Sequence, residues 1–150
     1  MAGNCLERSE IIRLVSGLRH CSQVVAGQWA EELDLDEETV IRMMAPFGGG
    51  AFDGEMCGAV AGALAVIGAK YGHYELGDAE GNMKMIAKVT EFKQKFKERN
   101  GTLVCRQLLG DYDFSKEGDL DKAMESGIFF EKCPGFIGSA LEILEEIMDE

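Results

Sequence analysis

Residues 54–72 read GEMCGAVAGALAVIGAKYG, and this run of small and apolar residues decides the fold that the sequence predicts. The run predicts a helix over about 54–71 that ends at Gly72, because glycine commonly closes a helix. Gly58 and Gly62 lie four residues apart, on one face of that helix, where they let another backbone approach closely. We therefore expect a central helix that packs tightly against its neighbours.

Helical periodicity continues on both sides of this stretch, and no alternating run of residues predicts a strand. Asp36, followed by two glutamates, is expected at a helix N-terminus, where acidic groups are favoured. Thr102 is expected to cap a short helix, and Pro134 to occupy the first position of the last one. The chain is thus predicted to be all-α, a single compact bundle of about six to eight helices in one domain over residues 1–150. The other helices are predicted near 6–16, 20–33, 36–46, 78–99, 103–109, 119–126 and 134–148.

The charge balance restricts the partners that the protein can bind. The chain has 15 Lys and Arg residues against 27 Asp and Glu residues, a net charge of −12. Nucleic-acid binding needs a cationic surface, and an anionic membrane repels an acidic protein, so we expect neither partner. Residues 1–10 contain no apolar run, and 58–69 is too short to span a bilayer. We therefore expect a cytoplasmic protein.

Five cysteines are the residues with the clearest chemical potential. In a reducing compartment they favour metal binding or thiol chemistry over structural disulfides. Most of them fall at predicted helix starts, where free N–H groups and the helix dipole lower the pKa of a thiol. Cys57 and Cys105 lie in first turns, Cys133 precedes Pro134 at an N-cap, and Cys21 lies near a helix start.

The spacing of the cysteines does not by itself define a site. No CxxC pair occurs, so the local spacings of zinc knuckles, ferredoxins and thioredoxins are absent. A single cysteine in a helical protein is most often a small buried hydrophobic residue. From the residues alone, a shared cysteine site and simple burial both stay open.

A glycine loop and a histidine are the remaining candidates. Gly48, Gly49 and Gly50 precede the central helix and could cradle an anion, but the Lys-Ser/Thr of a P-loop is missing. We expect this loop to bring backbone close to Cys57. His20 is a candidate ligand or proton donor, although an exposed helix-end histidine is the simpler interpretation.

The chain resembles the C-GCAxxG-C-C family of four-cysteine proteins, which are catalogued as redox-active. The resemblance covers roughly residues 11–147. In the central motif of this chain Cys57 precedes Gly58, whereas the family label writes glycine before cysteine. It selects Cys21, Cys57, Cys105 and Cys133 as one set, leaves Cys5 outside it, and implies an all-helical fold. The matching stretches are HCSQVV at 20–25, FGGG at 47–50, GEMCGAVAGAL at 54–64, KYG at 70–72, CRQLLG at 105–110 and Cys133-Pro134.

A second similarity extends what the family implies. The chain is similar to the helical part of split-Soret cytochromes, in which cysteines hold an iron–sulfur cluster. No CxxCH is present, so covalent haem is not implied. The family often has asparagine before its first cysteine, and His20 in that position leaves a mixed ligand set open.

These observations support three hypotheses. In the first, the four family cysteines bind an iron–sulfur cluster or zinc for electron transfer, with Gly48, Gly49, Gly50 and Gly58 contacting the cofactor. In the second, Cys57 is the attacking thiolate of a thiol–disulfide protein, and Cys21 or another family cysteine resolves it. In the third, the protein is a non-catalytic helical interaction module. The redox partner is an unidentified protein, and a homodimer stays open.

Overall fold

The computed structural model describes residues 4–110, 112 and 116–148, and within these ranges the chain is all-helical. The described parts contain eight α-helices and no strand, which confirms the predicted fold class and the upper end of the predicted helix number. A 3₁₀ turn over Ala45–Phe47 and a π-type turn over Gly50–Gly54 connect α3 to α4. The helices are α1 Arg8–Ser16, α2 Cys21–Trp29, α3 Glu37–Met44, α4 Gly58–Tyr71, α5 Ala79–Asn100, α6 Cys105–Leu109, α7 Asp119–Ser126 and α8 Ile128–Ile147.

The small-residue helix lies at the centre of the bundle, as predicted. α4 packs against α2, α5 and α8, and half of its residues are buried. A Cβ atom on Gly62 would lie 2.7 Å from the carbonyl oxygen of Ser22, so only glycine lets the backbones of α2 and α4 come this close. Other sides of α4 are also covered, since Val60, Ala63 and Ile67 are completely buried. The spacing of small residues therefore sets how α4 and α2 pack.

The C-terminal end of α8 is held by side chains from α4 and α5. Lys88 Nζ donates a hydrogen bond of 2.7 Å to the carbonyl oxygen of Ile147. Lys70 Nζ and Tyr71 Oη both donate to the carbonyl oxygen of Met148. The last carbonyls of a helix lack intrahelical donors and carry partial negative charge, so two ammonium groups satisfy them well.

The predicted start of α3 is confirmed, and three other predicted starts are wrong, those of α4, α6 and α8. Asp36 caps α3, its carboxylate accepting the N–H of Thr39. The central helix begins at Gly58 rather than near Gly54, because residues 50–54 form a separate turn and Cys57 is the N-cap. Thr102 does not cap α6, which begins at Cys105; its hydroxyl accepts the N–H of Val104 instead.

The last helix also begins earlier than predicted. Pro134 lies inside α8, which starts at Ile128 immediately after Gly127, a residue with φ 77° that ends α7. Cys133 is therefore in the helix interior, not at an N-cap. A proline inside a helix costs about 3 kcal/mol. Ile128 and Phe129 are half-buried against other apolar residues, and we attribute the longer helix to this burial, which offsets the cost.

No helix in the described ranges combines the length and the apolarity needed to cross a bilayer.

Candidate functional site

Two of the four family cysteines are brought together by a short antiparallel bridge between residues distant in sequence. Met56 pairs with Val104. The N–H of Cys57 donates to the carbonyl oxygen of Leu103 at 2.8 Å, and the N–H of Cys105 donates to that of Glu55 at 2.5 Å. Cys57 is the N-cap of α4 and Cys105 the first residue of α6, so both helices start side by side.

The glycine loop is pressed against this bridge. Gly50 has φ 64°, and a Cβ atom on it would lie 2.4 Å from the Glu55 nitrogen and 2.8 Å from Cys105 Cβ. A Cβ atom on Gly48 would lie 2.5 Å from the imidazole ring of His20. The loop therefore contacts Cys105 and His20 directly, and any side chain at these glycines would displace the residues around the thiols.

α2 brings the first cysteine to the same place. Cys21 is the first residue of α2, and a Cβ atom on Gly58 would lie 3.2 Å from Cys21 Cβ. The adjacent Ser22 is buried, and its hydroxyl donates a hydrogen bond of 2.7 Å to the carbonyl oxygen of Met44. Gln23 Oε1 accepts the N–H of His20, closing a capping box at the start of the helix. Hydrogen bonds on both sides of Cys21 thus fix its position.

The fourth cysteine comes from α8. Cys133 packs in one apolar cluster with Cys105 and Cys21. An interaction between the side chains of Cys133 and Cys21 shifts the pKa values of the two thiols in opposite directions. All five cysteines have free thiols.

The four thiols line one partly open cavity of about 270 Å³. His20, Gly49 and Gly58 line it as well, whereas Gly48 and Gly50 do not, and Cys5 packs against the main core elsewhere. The predicted set of Cys21, Cys57, Cys105 and Cys133 therefore converges on one space, with His20 beside it. Each cysteine comes from a different helix or its cap, so the separations in sequence gave no sign of this.

Burial, more than helix position, controls the acidity of these thiols. Burial raises the pKa of Cys57 to about 11, although the backbone N–H groups of Ala59 and Val60 oppose it. Burial likewise raises the pKa of Cys105 to about 12. The interaction with the side chain of Cys133 and burial raise the pKa of Cys21 well above its ordinary value, whereas the same interaction lowers the pKa of Cys133. The lowered pKa expected at helix starts is thus absent at Cys21, Cys57 and Cys105.

His20 lies at the edge of the cavity rather than exposed at a helix end. It is the N-cap of α2, and its ring meets the ring of Phe52 edge-on at a centroid distance of 5.1 Å. Partial burial lowers the pKa of the imidazole, which therefore stays neutral at neutral pH.

The ligand geometry of a single ion is not preformed. Among the residues that the structure describes, no group of three or more His, Cys, Asp or Glu side chains is arranged to hold one metal ion. The donor set itself, four thiols with one neutral imidazole, is the type that zinc and iron–sulfur clusters prefer.

Sequence reasoning missed the apolar residues that line the cavity beside the thiols and form its apolar wall. Phe52, Leu120, Met124, Phe129 and Phe130 line the cavity together with the four cysteines. Phe129 and Phe130 lie four and three residues before Cys133, and this adjacent aromatic pair is the signal in the sequence that could have indicated them.

Comparison with known proteins identifies the family of the chain. A family model described as "Putative redox-active protein (C_GCAxxG_C_C)" matches residues 19–147. The matched range contains the four cysteines of the cavity and not Cys5. No curated protein and no solved structure matches the chain.

Proposed function

Since the chain belongs to the C_GCAxxG_C_C family of redox-active proteins, we propose that its cavity thiols carry the redox role through a reversible dithiol–disulfide step. The observation that carries this proposal is the convergence of four free thiols on one cavity that is open to solvent. Free thiols at an accessible cavity can give up electrons to a bound acceptor, whereas fully enclosed thiols are inert.

Cys21 and Cys133 are the pair that the contacts favour. They pack in the same apolar cluster, and an interaction between their side chains shifts the pKa values of both thiols. On oxidation both S–H bonds break, one S–S bond forms, and two electrons and two protons pass to an acceptor in the cavity. Cys57, the attacking thiolate of the second hypothesis, lies beside the first backbone N–H groups of α4, but burial raises its pKa to about 11 and so disfavours the thiolate.

Thiol counting at defined redox potential tests the proposal. Equilibration with a graded thiol–disulfide buffer should remove two thiols per chain reversibly, and peptide mapping should find Cys21 joined to Cys133. Cys21→Ser and Cys133→Ser should each abolish the reversible loss, whereas Cys5→Ser, outside the cavity, should retain it. A full thiol count at every potential in the unsubstituted protein would contradict the proposal.

An iron–sulfur cluster or zinc is the second candidate, and the same convergence favours it. Cys21, Cys57, Cys105 and Cys133 would be the ligands, with His20 as an alternative donor on the cavity wall. Four thiolates are the usual ligand set of iron–sulfur clusters and of structural zinc. Gly49 and Gly58 bring backbone to the same cavity, where N–H groups can tune a bound cluster.

Anaerobic purification separates the two candidates. A cluster predicts visible absorption with matched iron and acid-labile sulfide, and zinc predicts a colourless protein with one equivalent of metal. Both predict that the four cavity thiols resist alkylation until a chelator removes the metal. A colourless, metal-free protein with all thiols titratable, even after anaerobic incubation with iron and sulfide or with zinc, would exclude this candidate.

A further inference from the structure

We propose that the apolar wall of the cavity binds an uncharged, planar two-electron acceptor of the quinone class next to the thiols. This inference rests on the proposed dithiol–disulfide function and names the substrate class of that site. It follows from the composition of the wall, from the charges around it, and from two strained residues that line the cavity.

The wall is suited to a flat apolar molecule. Phe52, Phe129, Phe130 and Phe136 contribute aromatic rings, and the cysteine sulfurs are exposed to the same space. Aromatic side chains stack or meet edge-on with planar ligands and supply most of the contact in such sites. A volume of about 270 Å³ lies near the lower end of the range for small-molecule pockets, about 300 Å³, and suits one ring system with its substituents.

The charges around the cavity disfavour ionic substrates. Among the described residues that line it, Arg19 is the only one with a full charge, and His20 is neutral. A nucleotide or a glutathione-type disulfide has several charged groups. In this cavity those groups would lose their hydration without gaining enough ion-pair or hydrogen-bond partners, which costs free energy. An uncharged acceptor avoids this cost, and Arg19 or His20 can approach its carbonyl oxygens.

Two apolar residues that line the cavity, Leu18 and Phe52, are exposed and have a strained backbone conformation. Leu18 has φ 70° and is 81% exposed, and Phe52 has φ 58° and is 43% exposed. A bulky residue at positive φ is uncommon, and such strained residues cluster at ligand sites. Exposing the same side chains to water is also unfavourable. A bound apolar ligand would cover both.

The chemistry balances without a further reactant. A quinone accepts two electrons and two protons at its oxygens and becomes a hydroquinone. Cys21 and Cys133 lose the same two electrons and two protons as their S–S bond forms.

The probe is duroquinone, whose four methyl groups block addition of a thiol to the ring. Binding is measured by equilibrium dialysis on the Cys21→Ser/Cys133→Ser double variant, which cannot form the proposed disulfide. In this background Met124→Asp places a charge at the wall, and Met43→Asp is the matched control, because Met43 is similarly exposed on α3 and does not line the cavity. We expect Met124→Asp to weaken binding on the order of tenfold, and Met43→Asp to leave it unchanged.

The outcomes separate this inference from the function on which it rests. If Met124→Asp weakens duroquinone binding, the result supports the cavity as the quinone site. If duroquinone binds but leaves the thiols of the unsubstituted protein reduced, that result counts against the disulfide step alone. Absent binding, or binding equal in the Met124→Asp and Met43→Asp variants, would overturn the inference, even if a thiol–disulfide buffer still oxidises the protein.

Discussion

Met56 and Val104 pair in an antiparallel bridge, so that the cysteines that follow them, Cys57 and Cys105, begin two helices side by side. The bridge joins parts of the chain that are far apart in sequence, and it fixes two of the four thiols through backbone contacts alone. These two thiols are therefore positioned independently of any bond between sulfurs.

The bridge predicts slow hydrogen exchange at two amides. The N–H groups of Cys57 and Cys105 donate to Leu103 and Glu55 and should exchange only when the site opens. The exposed segment 73–77 is the internal reference and should exchange far faster. Exchange at Cys57 and Cys105 as fast as in this segment, followed by NMR, would show that the bridge does not persist in solution.

Gly62→Ala should destabilise the protein, because the new Cβ atom would lie 2.7 Å from the Ser22 oxygen and force α2 and α4 apart. The expected loss in the free energy of unfolding is about 1–3 kcal/mol, measured by urea denaturation. Gly68→Ala on the same helix is the matched control: its Cβ atom would meet nothing within 4 Å. It should stabilise the protein by about 0.5–1 kcal/mol. Equal effects of the two substitutions would contradict the close packing of α2 on α4.

Ser22→Ala should also lower the free energy of unfolding, by about 1–3 kcal/mol, because the buried carbonyl of Met44 would lose its donor. The hydroxyl lies next to Cys21, so the rate of thiol oxidation should change as well. Ser16→Ala, at an exposed position, should change stability by no more than about 0.5 kcal/mol. An unchanged midpoint in urea for Ser22→Ala would argue against the hydrogen bond.

Asp36 should make stability depend on pH in the acid range. Hydrogen bonds from the Thr39 side chain and backbone lower the pKa of this carboxyl below its ordinary value of 3.8. Because the pKa of Asp36 is lower in the folded protein than in the unfolded chain, the cap stabilises α3 fully at any pH above the unfolded-state pKa. This stabilisation is lost as the pH falls through the folded-state pKa. Asp36→Asn keeps a good cap without titrating, so the urea midpoint of the unsubstituted protein should fall relative to that of the variant, and only below about pH 4. A difference that is constant from pH 7 to pH 2 would contradict this role.

The sequence was sufficient for features that depend on local chemistry. The carboxylate of Asp36 and the small face of Gly58 and Gly62 indicated a helix start and a close packing that the structure contains. The start of α8 was mispredicted because Pro134 locally favours a helix start. The helix begins earlier because Ile128 and Phe129 are partly buried by tertiary packing, which the local sequence does not reveal.

The candidate site illustrates the same limit. Helix starts pointed to the cysteines one at a time, but their convergence depends on how α2, α4, α6 and α8 pack, and only the family resemblance had grouped them. The acidity of Cys57 was misjudged for a related reason, since its burial is a property of the whole fold and outweighs the N–H groups beside it.

The placement of Cys133 on α8 also orders events during synthesis. α8 is the last described helix to leave the ribosome, so Cys21, Cys57 and Cys105 are made well before their fourth partner and before Phe129 and Phe130 can cover them. Under the proposed dithiol–disulfide function, a disulfide formed early in the nascent chain would therefore join sulfurs other than those of Cys21 and Cys133. The proposed function therefore requires that these thiols stay reduced until translation has passed α8.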